Sequence, residues 1–159
     1  MNADIIQIED LVDVDDPFAV LDEVKTIIGM IFPEFDFKPL DMIFKDILRL
    51  FRGHYPGYRK CNTDYHDLKH TTDTFLATAS LIHGASLCGQ RLNERNVGLG
   101  LVSALFHDTG YIQKSDDLSG TGAKYTLEHI SRSIEFMCAY LTEKGYSREK
   151  DLPDCKSIL

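Results

Sequence analysis

A chain of 159 residues that is 43% hydrophobic is long enough for one domain with a sizeable core, and its composition is ordinary for a soluble globular protein. Its formal net charge of −8 argues against broad electrostatic attraction to nucleic acid or anionic membrane, so a small anionic substrate requires local cations or a metal to overcome the field. The acidic opening MNADIIQIEDLVDVDD lacks the basic region and apolar run of a secretory signal, and no stretch reaches the length of a membrane span.

Four cysteines, Cys61, Cys88, Cys138 and Cys155, are widely spaced and form no CxxC pair. That pattern favours reduced thiols over a zinc knuckle or a disulfide framework, and a cytoplasmic protein is the simplest expectation.

In chain order the pattern is helical throughout. From about Pro17 to Ile31, Phe18, Val20, Leu21, Val24, Ile27 and Ile28 fit a helical face, with Asp16 as N-cap, Pro17 at N1 and Pro33 as breaker. A second amphipathic helix is expected from about Pro39 to Phe51, with Leu40, Ile43, Phe44, Ile47, Leu48 and Phe51 at helical spacing. Residues 1–52 are thus expected to hold packing helices, with a cap or a homodimer face as their possible roles. Residues 53–159 are expected to carry the chemistry.

Gly53 to Thr63, GHYPGYRKCNT, reads as a loop, and His54 in it as a surface or packing histidine. Asp64 is a candidate N-cap for a helix from about Tyr65 to Leu87, with Asp67 in its first turn. On that helix His66 and His70 lie four positions apart and share a face, which Asp73 continues. His83, beside Gly84, lacks such pairing and reads as structural.

Val97 to Tyr111, VGLGLVSALFHDTGY, organises the chain. A helix that is apolar on nearly every face has no side that needs water, so it is expected to be central and to end deep in the fold. Asp108 at its end then needs a partner or a metal, and His107 is adjacent. Taken alone, His107 and Asp108 equally close a helix, with Gly110 as its stop signal. The metal reading gains because donors from two helices are the usual way a bundle builds a core metal site.

Thr109 to Lys124 is a glycine-rich polar loop that reads as solvated or as a lid. Its cations Lys114 and Lys124 are phosphate-contact candidates. A helix from about Tyr125 to Lys144 follows, with Leu127, Ile130, Ile134, Met137 and Leu141 as core stripe and His129, Ser133, Phe136 and Tyr140 on an adjoining face. His129 either adds an imidazole to the site or sits at the edge of the stripe, and Arg132 is a candidate phosphate contact. Gly145 ends this helix, and Asp151 to Leu159 reads as the first turn of another, which gives the chain the look of a shortened domain.

The ordered set YHDLKH, then HD in SALFHDTGY, then a helix bearing His129, resembles the HD-domain superfamily of metal-dependent phosphohydrolases over roughly Tyr65 to Tyr146. The resemblance implies an all-α, HD-domain-like bundle whose central helix ends in the His-Asp pair. It implies a divalent cation, one or two ions, held by His70, His107 and Asp108. The YHxxxH opening is similar to that of cyclic-nucleotide phosphodiesterases, which points to His66 as proton donor to the leaving group. A glycine two residues after Asp108 is similar to the HDxG form of bacterial members. The family's further metal-binding aspartate has no convincing equivalent before Leu159, since Asp151 and Asp154 follow too closely in a polar turn. The GYP signature of cyclic-di-GMP phosphodiesterases is not recognisable.

Residue chemistry carries the same expectation. A cation held by imidazoles and carboxylate polarises a phosphoryl oxygen and acidifies water, while His66 brings the residue type suited to protonating a departing oxygen. Asp67 or Asp73 is placed to orient an imidazole. Histidine-rich ligation favours transition metals among Mn, Fe, Zn and Mg. The expected activity is hydrolysis of a small phosphodiester or nucleotide, with Asp108 and His66 as catalytic residues, Lys114 and Arg132 as substrate contacts, and no nucleic-acid polymer or membrane as partner. The alternative is a non-catalytic helical module that binds a nucleotide or a partner protein.

Overall fold

The computed structural model describes residues 12–146 and 150–159, and among them there are six α-helices and no β-strand. The fold is all-α. Helix α1 (Pro17–Ile31) starts where the Asp16 carboxylate accepts from the Phe18 amide at 2.9 Å, with Pro17, which has no N–H to leave unpaired, at its first position, and ends before Pro33. Helix α2 (Lys38–Phe51) starts one residue before Pro39, because Asp36 accepts from the Lys38 amide at 3.1 Å.

Helix α3 (Leu68–Leu87) is capped by Asp67, not Asp64, and so begins three residues later than the spacing suggests. Asn93 caps helix α4 (Glu94–Phe106), which buries Val97, Leu99 and the unbroken run Leu101–Phe106. Two short 3-10 turns, Thr109–Tyr111 and Gly122–Tyr125, precede helix α5 (His129–Glu143), and helix α6 (Asp151–Ile158) follows.

Helix α4 is the hub. It touches α2, α3, α5 and α6, while α1 packs along α3. An all-round apolar helix reaches a low free energy only when every face has a neighbour, which is why this segment sits at the centre. Phe44 of α2 meets Phe75 of α3 at 5.8 Å between ring centroids, and Phe106 of α4 meets Phe136 and Tyr140 of α5 at 5.9 and 5.3 Å. Side chains from all six helices join one apolar core. Tyr140 adds a polar tie by donating to Asp46 of α2 at 2.8 Å, and its burial together with that carboxylate pushes the phenol far above its usual pKa.

The face of α5 differs from the expected stripe. Leu127 is 98% exposed and Ile130 half exposed, whereas Ser133, Met137, Tyr140 and Leu141 are buried. Residues 122–125 turn separately, so the helix restarts at His129 and Leu127 lies before it. The first turn of α5 also lies so close to the turn after α4 that Ser133, and not a branched aliphatic, occupies the contact. Among the described residues, no helix is long and apolar enough to cross a membrane.

Candidate metal centre

The C-terminal end of α4 delivers two of the donors. His107 keeps helical dihedrals at the C-cap position, and Asp108 leaves them with φ −109° and ψ 7°. The last carbonyls of a helix lack intrahelical partners. Here Thr109 donates its hydroxyl to the Phe106 carbonyl at 2.8 Å, and the His107 Nδ1 lies 2.8 Å from the Ala104 carbonyl. A carbonyl only accepts, so Nδ1 carries the proton and the neutral ring presents the lone pair of Nε2 to the site.

That Nε2 lies 3.4 Å from His70 Nε2 and 3.1 Å from Asp108 Oδ2, and His70 Nε2 is 3.4 Å from the same oxygen. Ligands about 2.1 Å from a shared ion are spaced about 3.0 Å along an octahedral edge and about 3.4 Å along a tetrahedral one. The three donors fall within that span. His66, His70 and Asp108 offer ligand atoms that all lie within 4.8 Å of one another and form a group able to hold a metal ion. With His107 Nε2 beside them, three imidazoles converge around an Asp108 that is only 2% exposed.

His66 reaches the cluster by a route different from the expected one. It lies before the Asp67 cap, so no helical face joins it to His70. Its backbone carbonyl instead accepts from the Thr63 hydroxyl at 2.7 Å and the Cys61 thiol at 3.3 Å, and its ring stacks on Tyr111 at 4.2 Å and 16°. Nδ1 then lies 2.8 Å from Asp108 Oδ2, a hydrogen-bond length. Asp67 is used up as the cap, accepting from the His70 amide at 2.9 Å, and Asp73 pairs with Lys69 at 3.2 Å. Neither orients an imidazole ring.

The remaining candidates separate. His129 stacks on Tyr111 at 4.5 Å with its ring 6.1 Å from that of His66, while its Nδ1 is 2.7 Å from the Thr126 carbonyl. It neighbours the donor group without joining it. Arg132 donates to the carbonyls of Gly110 and Ile112 at 2.7 and 3.1 Å and lies 3.5 Å over the Tyr125 ring, so its fork is occupied by the protein. Lys114 is exposed, on a segment whose backbone pairs with Tyr58. Lys124 is held by Asp117 at 2.5 Å. Asp151 and Asp154 both bind Arg95, at the end of α4 away from His107.

Three residues of this region had no legible role in the sequence. Tyr111, 2% exposed, carries the stack that holds His66 and His129. Ser133 is fully buried against the turn after Asp108. Gln113, 1% exposed, donates to the Ser119 carbonyl at 2.9 Å and accepts from Asn62 at 2.9 Å, which ties the segment after Asp108 to the loop before His66. A polar run read as solvated or as a lid is thus pinned at its base.

Charge in the cluster is coupled. Burial disfavours the charged form of His107, but the hydrogen bond and charge of Asp108 outweigh it and raise the imidazole above its ordinary pKa of 6.5. Burial also pushes Asp108 up, and its bonds to His107 and His66 overcome that and hold it below 3.8. In the metal-free protein the contribution of His107 is therefore fully present below its unfolded pKa and is lost as pH rises through the raised value. That of Asp108 is present above the ordinary carboxylate pKa and is lost as pH falls through the lowered one. Metal-free stability is expected to decline as pH rises past the imidazole range, while metal affinity climbs, because a ligating imidazole must shed its proton. Urea midpoints and cobalt(II) affinity followed across that range check this, and His107→Asn is expected to flatten both. A wild-type midpoint that keeps rising through the window would contradict it.

No protein-family model, curated protein or solved structure matches the chain.

Proposed function

We propose that this chain is a metal-dependent phosphohydrolase of the HD-domain type, acting on a small phosphodiester or nucleotide. The observation that carries the reading is the convergence of His66, His70 and Asp108 within 4.8 Å, with His107 Nε2 3.1 Å from the same Asp108 oxygen. His70, His107 and Asp108 hold the ion, and Mn, Fe, Zn and Mg are the metals compatible with that donor set. A bound divalent cation supplies Lewis acidity toward a phosphoryl oxygen and makes water more acidic.

The chain's own residues supply the rest. The Asp108 carboxylate balances the cation's charge, and its bond to His66 Nδ1 fixes how that ring is turned. In its protonated form His66 then presents Nε2 to a leaving oxygen, as a general acid. Tyr111 keeps the ring from rotating out. The cytoplasm is the compartment consistent with four free cysteines.

The test is turnover of bis(p-nitrophenyl) phosphate by the full chain, with elemental analysis of the same sample. Hydrolysis is expected to depend on added Mn, Fe or Zn and to vanish in folded His107→Ala and Asp108→Ala variants. Equal rates in those variants would end the reading. Stoichiometric metal with no turnover of any phosphoester, together with stabilisation by a nucleotide, would favour a binding module instead.

A further inference from the structure

The 3-10 turn that follows His107 has no side-chain cap at its start. Asp108 stands at the start of the 3-10 turn Thr109–Tyr111 but makes no capping bond to it, because its carboxylate faces the imidazoles. Its backbone is held from outside, by two consecutive residues of α5. The Ser133 hydroxyl accepts from the Gly110 amide at 2.8 Å and donates to the His107 carbonyl at 2.7 Å. Arg132 Nε donates to the Gly110 carbonyl at 2.7 Å and Nη2 to the Ile112 carbonyl at 3.1 Å.

We propose that Arg132 and Ser133 are positioning residues for the metal centre: they hold the His107–Asp108 turn at the donor spacing an ion requires, and so set metal affinity without touching the ion. The proposal rests on reading the cluster as a metal centre. Ser133 is fully buried, and its one hydroxyl is spent on both ends of a single turn. Arg132 commits a charged fork to two carbonyls and lies flat on Tyr125, an arrangement that lysine cannot reproduce with one ammonium. Charge-assisted bonds of this kind are stronger and more directional than neutral ones. Ligand orientation is what such outer partners control, and their loss typically weakens metal binding by roughly 10- to 100-fold.

Cobalt(II) is the probe, titrated into the full chain and into Ser133→Ala and Arg132→Lys, with affinity read by calorimetry and ligand geometry by the visible absorption of the bound ion. Both variants are expected to bind cobalt(II) at least roughly tenfold more weakly and with altered absorption, while the metal-free proteins keep the parent's helical circular dichroism. Arg132→Lys keeps the positive charge, so a residue acting through charge alone predicts unchanged affinity there. Lys45→Ala, on an exposed side chain of α2, is the control expected to match the parent. Ser133→Ala deletes a single hydroxyl and decides the matter by itself if Arg132→Lys does not fold. Parent-like affinity and spectrum in the folded variants would overturn the positioning role and leave the metal reading standing. A parent chain that binds no cobalt(II) would overturn both.

Discussion

Gly110→Ala is expected to be among the most damaging single substitutions in the chain. A Cβ at that position would stand 2.0 Å from the His129 carbonyl oxygen and 2.8 Å from the Ser133 amide nitrogen. Both are backbone atoms of the first turn of α5, so no side-chain rotation relieves the overlap. The helix must move, which separates Ser133 from His107 and carries His129 away from Tyr111. Overpacking of this kind typically costs about 1–3 kcal/mol and sometimes more, and the rigid obstacle here places the expected loss at the upper end, about 3 kcal/mol. Urea denaturation at unchanged slope measures it. Gly84→Ala on α3 is the control, because nothing lies within 4 Å of a Cβ there. That change is expected to be neutral or to stabilise by up to about 1 kcal/mol, through helix propensity. If the two variants unfold at the same midpoint, the close approach of α5 to this turn is wrong.

Asp108→Asn is expected to abolish stoichiometric metal binding with the shape of the side chain nearly unchanged. The Asp108 oxygen lies 2.8 to 3.4 Å from nitrogens of His66, His107 and His70, and the residue is 2% exposed. An amide brings no charge to balance a cation and turns either a weaker oxygen or an N–H toward those rings. Loss of an outer partner costs about 10- to 100-fold in metal affinity, so removal of a ligand's charge should cost more than about 100-fold. Elemental analysis after dialysis against manganese or zinc, beside the parent chain, reads this directly. A variant that retains one equivalent of metal would remove Asp108 from the ligand set. Because His107 owes its raised pKa to Asp108, the same variant should also lose the alkaline decline in metal-free stability.

Much of this was legible before any coordinates. The unbroken apolar run ahead of His107 marked a helix without a wet face, and α4 is that helix. The proline and aspartate signals placed α1 at its observed bounds and α2 to within one residue. Residue type and spacing drew attention to His66, His70, His107 and Asp108, and the resemblance to the HD-domain superfamily singled out His70, His107 and Asp108 as the expected ligands. Spacing was less reliable for His66. A four-residue interval implies one helical face only if the helix has already begun, and Asp67 caps it one residue after His66. Competition between two aspartates for one cap is decided by which carboxylate reaches an amide, and that is a matter of three-dimensional reach.

Arg132 shows a second limit. A cation near a suspected phosphate site is a reasonable anion contact from its sequence neighbourhood, yet here its donors meet two carbonyls. Nothing in the linear pattern reveals that the turn after Asp108 lacks a side-chain cap at its start. The same holds for Leu127, whose helical register with Met137 and Leu141 extends past the point where α5 begins.

By itself, the sequence determined the helical class of the protein, the centrality of the segment ending at His107 and the donor types present, because hydrophobic periodicity and residue chemistry are properties of the chain. Only the tertiary structure decided that His66 approaches Asp108 from a loop, that Tyr111 and Ser133 secure the cluster, and that Arg132 braces it. Those outcomes depend on contacts between residues 20 to 45 positions apart, and such contacts exist only once the apolar faces have packed.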